Sequence, residues 1–459
     1  MRRSFWLLAV VLPIGLPIGL PIGLAIVLAI GLAISPSVLR ADEVTVVALK
    51  AARLFDGRSD TEVKNGVVMV EGGKIKAAGS GLQIPAGARV VDLGDTTLLP
   101  GFIDAHTHLT MQLEDDWYHA TVDDMRRTVP EAALRAAEFA RRTLVAGFTT
   151  VRDVGSSDFI DVGLRNAIEG GYVPGPRMLV AVNALGARGG HCDQGGFPYL
   201  KFGKETGIAE GIAAGPDGFR DAVRFQAKYG ADVIKVCATG GVLSLTDDVD
   251  TPQVTQAEMN AIVEEAHRLR KKTAAHAHGN EGARVAIRAG IDSIEHGSFM
   301  DKETLQMMKD RGTWLVPTCL AVDATAGGEG KRNYPPAIDA KARAAAAAHD
   351  KMLRQAIQMG VKIALGTDAG VYPHGKNAHE FVRLVEHGMT AAQALRAGTA
   401  NGAALLGVDR QVGTLEAGKD ADIVAVAGDP LKDIKATENV RMVMRRGKIV
   451  KNEVGERSP

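Results

Sequence analysis

The 459-residue sequence carries no net charge: 54 Lys and Arg balance 54 Asp and Glu. Without a basic field there is nothing to hold a polyanion, so nucleic acid is not an expected partner. Cysteine is scarce too, at three residues. Cys192, Cys237 and Cys319 cannot build a disulfide framework for a chain of this size, so the fold has to rest on a hydrophobic core, for which 46% apolar residues suffice. Cys237 and Cys319 lie in or just after apolar runs and read as buried thiols. Cys192 lies in the glycine-rich loop 187–193, and nothing in the pattern specifies a bridge. Helical periodicity is absent from two stretches, about 43–98 and about 408–451. Both alternate with a period of two between turns and read as short strands.

The N-terminus reads as a targeting segment. Arg2 and Arg3 precede an apolar run from Phe5 to Ile34, in which Leu-Pro-Ile-Gly repeats three times, and a small-residue exit follows near Ala41. The run is long enough to span a membrane, where about 20 residues suffice, but its prolines weaken a helix. A cleaved signal peptide over 1–41 is the expectation, with an uncleaved anchor as the alternative. Export to the periplasm or medium follows, with a mature chain of 51 basic and 54 acidic residues, once Arg2, Arg3 and Arg40 are removed from the 54 basic ones.

Between the flanks, short apolar runs alternate with amphipathic stretches such as Glu131–Ala146 and Thr255–Lys272. The runs are Leu99–His108, Gly147–Gly155, Pro176–Asn183, Asp232–Thr239, Thr273–His278, Ile291–His296, Thr313–Thr318 and Val361–Asp368. Eight strands separated by helices predict an α/β fold, a (β/α)8 TIM barrel. The expected organisation is a leader at 1–41, a first part of a small β-sandwich at 42–99, the barrel at 100–400 and the second sandwich part at 401–459.

Six residues fall at the C-terminal ends of these runs, where such barrels carry their chemistry: His106, His108, Lys235, His276, His296 and Asp368. In a strand, residues two apart share a face, so Asp104, His106 and His108 project together, and Asp104 is placed to orient the imidazoles. Lys235 lies in an apolar strand, where a charged ammonium is costly. Carbon dioxide converts such a lysine to an anionic carbamate, able to bridge two divalent metals about 3.5–4 Å apart around a shared hydroxide. Two dications less the carbamate, the Asp368 carboxylate and the hydroxide leave a charge of +1 to polarise a carbonyl. His106, His108 and Asp368 are assigned to the inner ion and His276 and His296 to the outer, with Asp368 also the general base. Imidazole and carboxylate ligands suit zinc. The alternative for Asp368 is a helix N-cap within 366–370.

These motifs resemble the amidohydrolase superfamily in its two-metal, carboxylated-lysine branch. They are Pro100–His108, Ile234-Lys235-Val236, His276–Gly279, Ile294–Gly297 and Gly366–Gly370, with the tail Gly413–Val424. Ala238–Gly241 and Gly189-Gly190-His191 are similar to the prolidase-like and Xaa-Arg/Lys dipeptidase group. The resemblance implies hydrolysis of dipeptides or N-acyl amino acids, including ochratoxin A to phenylalanine, by attack of the metal-bridging hydroxide. It implies His191 and His278 as substrate-binding residues, N6-carboxylysine at position 235 and a homo-oligomer. His278 has a second reading as a support for His276, and Arg188 is either a carboxylate partner or a solvated loop residue. Two rival functions are a mononuclear deaminase or cyclic-amide hydrolase on the same fold, which has no need of Lys235, and an exported non-catalytic binding protein.

Overall fold

The run expected as the first barrel strand forms two strands. It breaks at Gly101 into Thr96–Pro100 and Phe102–Thr107, where a Cβ would stand 2.1 Å from the Thr149 hydroxyl. The computed structural model describes residues 46–193, 205–327 and 332–454, so the leader expected at 1–41 lies outside the described residues. Thr96–Pro100 pairs with Val47–Leu54 on one side and with Ile423–Ala427 on the other. It thereby sits inside an eight-stranded sheet that draws on both flanks of the chain. The sheet branches at Val47–Leu54, which pairs with Arg89–Asp92 along its first half and with Thr96–Pro100 at its end. Its apolar face buries Leu49, Leu54, Ile75, Leu98, Ile423 and Met442 in a core of its own.

Phe102–Thr107 begins the second architecture. It lies parallel to Phe148–Asp153, which lies parallel to Arg177–Val180. Val233–Cys237, Lys272–Ala277, Ser293–His296 and Trp314–Val316 form a second parallel sheet in chain order. Single contacts join the two: Asp232 N–H donates to the Val180 carbonyl at 2.7 Å, and Leu185 and Lys235 pair at 2.8 Å. The run 361–368, expected as the eighth strand, forms no ladder. It bridges only at Ile363 to Leu315 and at Ala369 to Thr107. Its backbone still bonds to both neighbours: Ala364 N–H donates to the Leu315 carbonyl, Ala105 N–H to the Leu365 carbonyl and Asp368 N–H to the His106 carbonyl, while Leu365 N–H turns to the Ala397 carbonyl and Asn401 Nδ2 donates to the Ile363 carbonyl. The helices between strands follow their amphipathic stretches, Val129–Val145 and Gln256–Arg268 among them. Thr255 caps the latter in a capping box with Glu258. The helical run from Ala391 ends at Leu406, whose last turn packs with Ile103 and Val316. Among the described residues no helix is long and apolar enough to cross a membrane.

Four non-glycine residues at strand exits adopt left-handed backbone: Val182 (φ 67°), His296 (φ 70°), Thr318 (φ 53°) and Asp368 (φ 57°). Each costs about 1–3 kcal/mol, and such strain persists only where surrounding contacts impose it. These turns shorten the third and seventh strands relative to the sequence expectation, and they aim two of the six candidate residues inward.

Candidate metal centre

All six candidate residues line one cavity of about 290 Å³, together with His191 and His278. His106, Lys235, His276, His278, His296 and Asp368 are buried, and His108 is partly so. The ring nitrogens facing away from the cavity are each committed. His106 Nδ1 donates to Glu295 at 2.7 Å. His108 Nδ1 donates to the Gly155 carbonyl at 2.9 Å. His296 Nδ1 lies 2.7 Å from Thr318 Oγ1, whose own proton goes to the Pro317 carbonyl, so the imidazole is the donor. His276 Nε2 donates to the Gly240 carbonyl at 3.1 Å.

Those bonds fix the tautomers and leave a lone pair on the other nitrogen of each ring. His106 Nε2 and His108 Nε2 then stand 3.4 and 3.2 Å from Asp368 Oδ1. That oxygen is buried and accepts no hydrogen bond. Three acceptors facing one another are unfavourable unless a cation lies among them. Candidate ligand atoms of His106, His296 and Asp368 lie within 4.8 Å of one another, as do those of His276, His278 and His296. The donor set of imidazole and carboxylate fits divalent zinc.

The electrostatics agree. Burial would raise the Asp368 carboxyl, but the histidines beside it outweigh burial and hold it well below the usual carboxylate range. Burial likewise opposes charge on His108, yet Asp368 and Asp153 raise it, so with no cation between them the His108 ring takes up a proton toward Asp368, and a bound cation would replace that proton. His276 and His296 are pushed well below the usual imidazole value by burial and by neighbouring imidazoles, which keeps them neutral, each with one ring nitrogen able to accept. Burial lowers the Lys235 amine to about 8, partly opposed by Glu295 and Asp368. No carboxylate of the described residues forms an ion pair with it, so a neutral, nucleophilic amine is within reach near neutral pH.

Asp104 does not orient the imidazole rings. Its carboxylate accepts from the His106 and Thr367 backbone N–H groups, the Thr367 hydroxyl and Asn377 Nδ2. It thus fastens the turn that carries Asp368 onto the strand that carries His106. The carboxylate that orients His106 is Glu295, fully buried and bound by Arg152 at 2.8 Å and Ser293 at 2.5 Å. Arg152, His106 and Lys235 hold Glu295 down at about 2 against the effect of burial. Sequence reasoning missed this pair. Its signal was an arginine inside the apolar run 148–154 and a glutamate beside His296, two charges that cannot be buried apart.

Other expectations resolve as follows. No helix begins at Asp368; the next one starts at His379, so the N-cap alternative fails. His278 stacks on His296 at 4.8 Å and meets His276 edge-on, with its Nδ1 2.9 Å from Ser298 Oγ. His191 lies 4.3 Å from His276 between ring centres. Its Nδ1 donates to Ser244 Oγ, whose proton goes to Asp247, leaving an acceptor at Nε2. Arg188 is exposed beside Glu205 and does not line the cavity. Cys319 is a buried thiol as expected, but Cys237 is not: it is bonded to Cys192, because the loop 186–193 folds back onto the end of strand Val233–Cys237.

The Amidohydrolase family model matches residues 97–450, and the chain belongs to that family. It is 32% identical to an ochratoxinase of Aspergillus niger over 439 residues, covering 90% of this chain and 88% of that protein. A solved Xaa-Pro dipeptidase with methionine in its active site superposes with a TM-score of 0.85 at 36% identity, covering 89% of this chain and all of the other. The crystal structure of A. niger ochratoxinase gives 0.79 at 31% identity, covering 90% and 96%. The chain is a hydrolytic enzyme with an amidohydrolase fold of the TIM-barrel type.

Proposed function

We propose that this enzyme is an exported, zinc-dependent amidase that releases the C-terminal amino acid from dipeptides or N-acyl amino acids, ochratoxin A among them. The observation that carries the reading is the meeting of the His106 and His108 lone pairs at a buried Asp368 oxygen that has no donor. In this reading His106, His108 and Asp368 would hold one divalent ion and His276 and His296 a second, with Lys235, as its carbamate, a ligand available to both. The two parallel sheets and the run 361–369 make one closed barrel, beside a sandwich built from the flanks, with domain limits near 42, 100 and 400. Relatives named for ochratoxin and Xaa-Pro dipeptides support the substrate class, and the disulfide supports an oxidising compartment. A homo-oligomer is part of the proposal, to be checked by light scattering.

Two divalent ions bound there would lower the pKa of a water and polarise the scissile carbonyl. The chain's own residues do the rest. Asp368 accepts the proton of the attacking water and returns it to the leaving amine nitrogen, so the C–N bond breaks as a C–O bond forms. Glu295 and Thr318 keep His106 and His296 in the ligating tautomer. His191 presents an acceptor and therefore suits a substrate N–H, while His278 lines the same cavity from the end of the strand that carries His276. The apolar wall of Val154, Val242, Leu243 and Val322 excludes water from the reacting atoms.

The test uses the chain from Asp42, supplied with zinc and bicarbonate, and follows free amino acid released from dipeptides, N-acyl amino acids and ochratoxin A. Lys235→Ala runs beside it, and both proteins are assayed for bound zinc. Release that the variant loses by at least about a hundredfold, with lowered zinc content, supports the reading. Release indifferent to Lys235 rejects the bridged centre and favours a mononuclear enzyme.

A further inference from the structure

The loop that carries His191 is anchored at its start, where Gly186 and Ala187 pair with Ile212 and Ala213, and beyond residue 187 it is held by turn bonds within 187–193 and by a few contacts to other segments, the His191 Nδ1–Ser244 bond among them. His191 N–H donates to Gln253 Oε1 at 2.9 Å, and Gly189 N–H to Asp193 at 2.8 Å. Close approach is built in by glycine. A Cβ at Gly186 would stand 2.8 Å from Cys192 Cβ, and one at Gly241 would stand 2.1 Å from the His191 ring. The covalent tie is the Cys192–Cys237 bond, with Cα atoms 5.9 Å apart and a sequence separation of 45. Its two ends are informative. Cys192 follows His191 directly, and Cys237 lies two residues beyond Lys235, on the same face of the strand. Both sulfur-bearing residues line the cavity with the candidate ligands. Cys237 is buried, whereas Cys192 is partly exposed and is the end of the bond open to a reductant.

We propose that the Cys192–Cys237 disulfide is a positioning element of the site: it clamps His191 beside His276, so that substrate binding depends on the oxidation state of these two cysteines. The inference rests on the amidase reading for its kinetic consequence, though not for its structural one. Reduction by a trialkylphosphine consumes one water, yields two thiols and leaves the phosphine as its oxide. Re-oxidation by oxidised glutathione returns the disulfide and yields two molecules of the reduced tripeptide. Without the clamp, His191 has to be ordered at each binding event. That raises KM by about two- to tenfold and leaves kcat within about twofold.

The experiment compares the full chain, oxidised and phosphine-reduced, with the Cys192→Ser/Cys237→Ser double variant. Peptide mapping without reductant is expected to show a 192–237 cross-link and a single thiol at Cys319; three thiols would overturn the proposal. Hydrogen exchange is expected to quicken over 188–193 on reduction and to stay slow over 233–236; unchanged exchange in the loop would overturn it whether or not substrates are cleaved. KM is expected to rise on reduction, to recover on re-oxidation, and to be raised and insensitive to phosphine in the double variant, with zinc content constant. An unchanged KM with a changed redox state would remove the positioning role and leave the amidase reading intact. Absence of hydrolysis by the oxidised enzyme would instead count against the amidase reading, and the exchange measurement would then decide the clamp.

Discussion

Replacing Glu295 by glutamine tests the tautomer argument at its root. Glu295 is fully buried and bonded to His106 Nδ1 at 2.7 Å and to Arg152 at 2.8 Å. Glutamine has the same shape but one acceptor and one donor end. If its oxygen faces His106, its amide N–H₂ faces the buried guanidinium, and a charge is left without an acceptor. If its oxygen stays on Arg152, the N–H₂ faces His106 Nδ1 and drives the imidazole proton to Nε2. The second arrangement is the cheaper, because an unpaired buried guanidinium is the larger penalty. It deletes the lone pair that His106 presents toward Asp368. Loss of such an outer partner lowers metal affinity by about 10- to 100-fold, about 1.4–2.7 kcal/mol. Weakening the charge-assisted bonds costs up to about 3 kcal/mol of stability. At about 2 °C per kcal/mol for a chain of this length, Tm falls by about 6 °C. Zinc competition against a chromophoric chelator reads the first quantity and calorimetry the second. Zinc affinity within twofold of the parent and an unchanged Tm would refute the reasoning.

Three further outcomes are expected. Carbamate formation needs the neutral amine, and the Lys235 value of about 8 makes that fraction rise with pH; CO2-dependent reactivation of chelator-stripped enzyme should be about tenfold faster at pH 9 than at pH 7, at fixed dissolved CO2, and a rate flat in pH would contradict it. Arg177→Met should cost about 3–5 kcal/mol by stranding Asp422, which pairs with Arg177 at 2.7 Å where the flank sheet meets the third parallel strand. Chemical denaturation reads the loss, and kcat/KM well below the melting point should be unchanged. Gly241→Ala forces the His191 ring away and should raise KM at constant zinc content, with about 1–3 kcal/mol of strain; an unchanged KM would mean that His191 does not touch substrate.

Local rules carried much of this protein. Period-two alternation and apolar runs bounded by glycine located seven of the parallel strands, and amphipathic spacing located the helix that begins after Thr255. The eight residues expected around the cavity do line one cavity, because strand ends of parallel sheets converge by topology alone. The limits appear where a backbone group or a charge has to find a partner distant in sequence. Gly101 splits one apolar run between two sheets because Thr149 occupies the space a side chain would need. The run 361–368 meets its two neighbours through isolated bridges and single hydrogen bonds, with the Leu365 N–H given to residue 397 instead of a strand.

The sequence by itself determined which chemistry the chain can perform: imidazoles, a carboxylate and a lysine placed at strand ends, with residue type and period sufficient to bring them to one face. Only the tertiary structure decided how those groups are tuned. Glu295 rather than Asp104 orients His106, and Arg152 neutralises Glu295 from a strand more than 140 residues earlier. Cys237 turned out to be bonded to Cys192 because the loop after Asn183 folds back on the strand of Lys235. Such pairings depend on which buried charge or thiol meets which across the core, a distance in space that spacing along the chain does not encode.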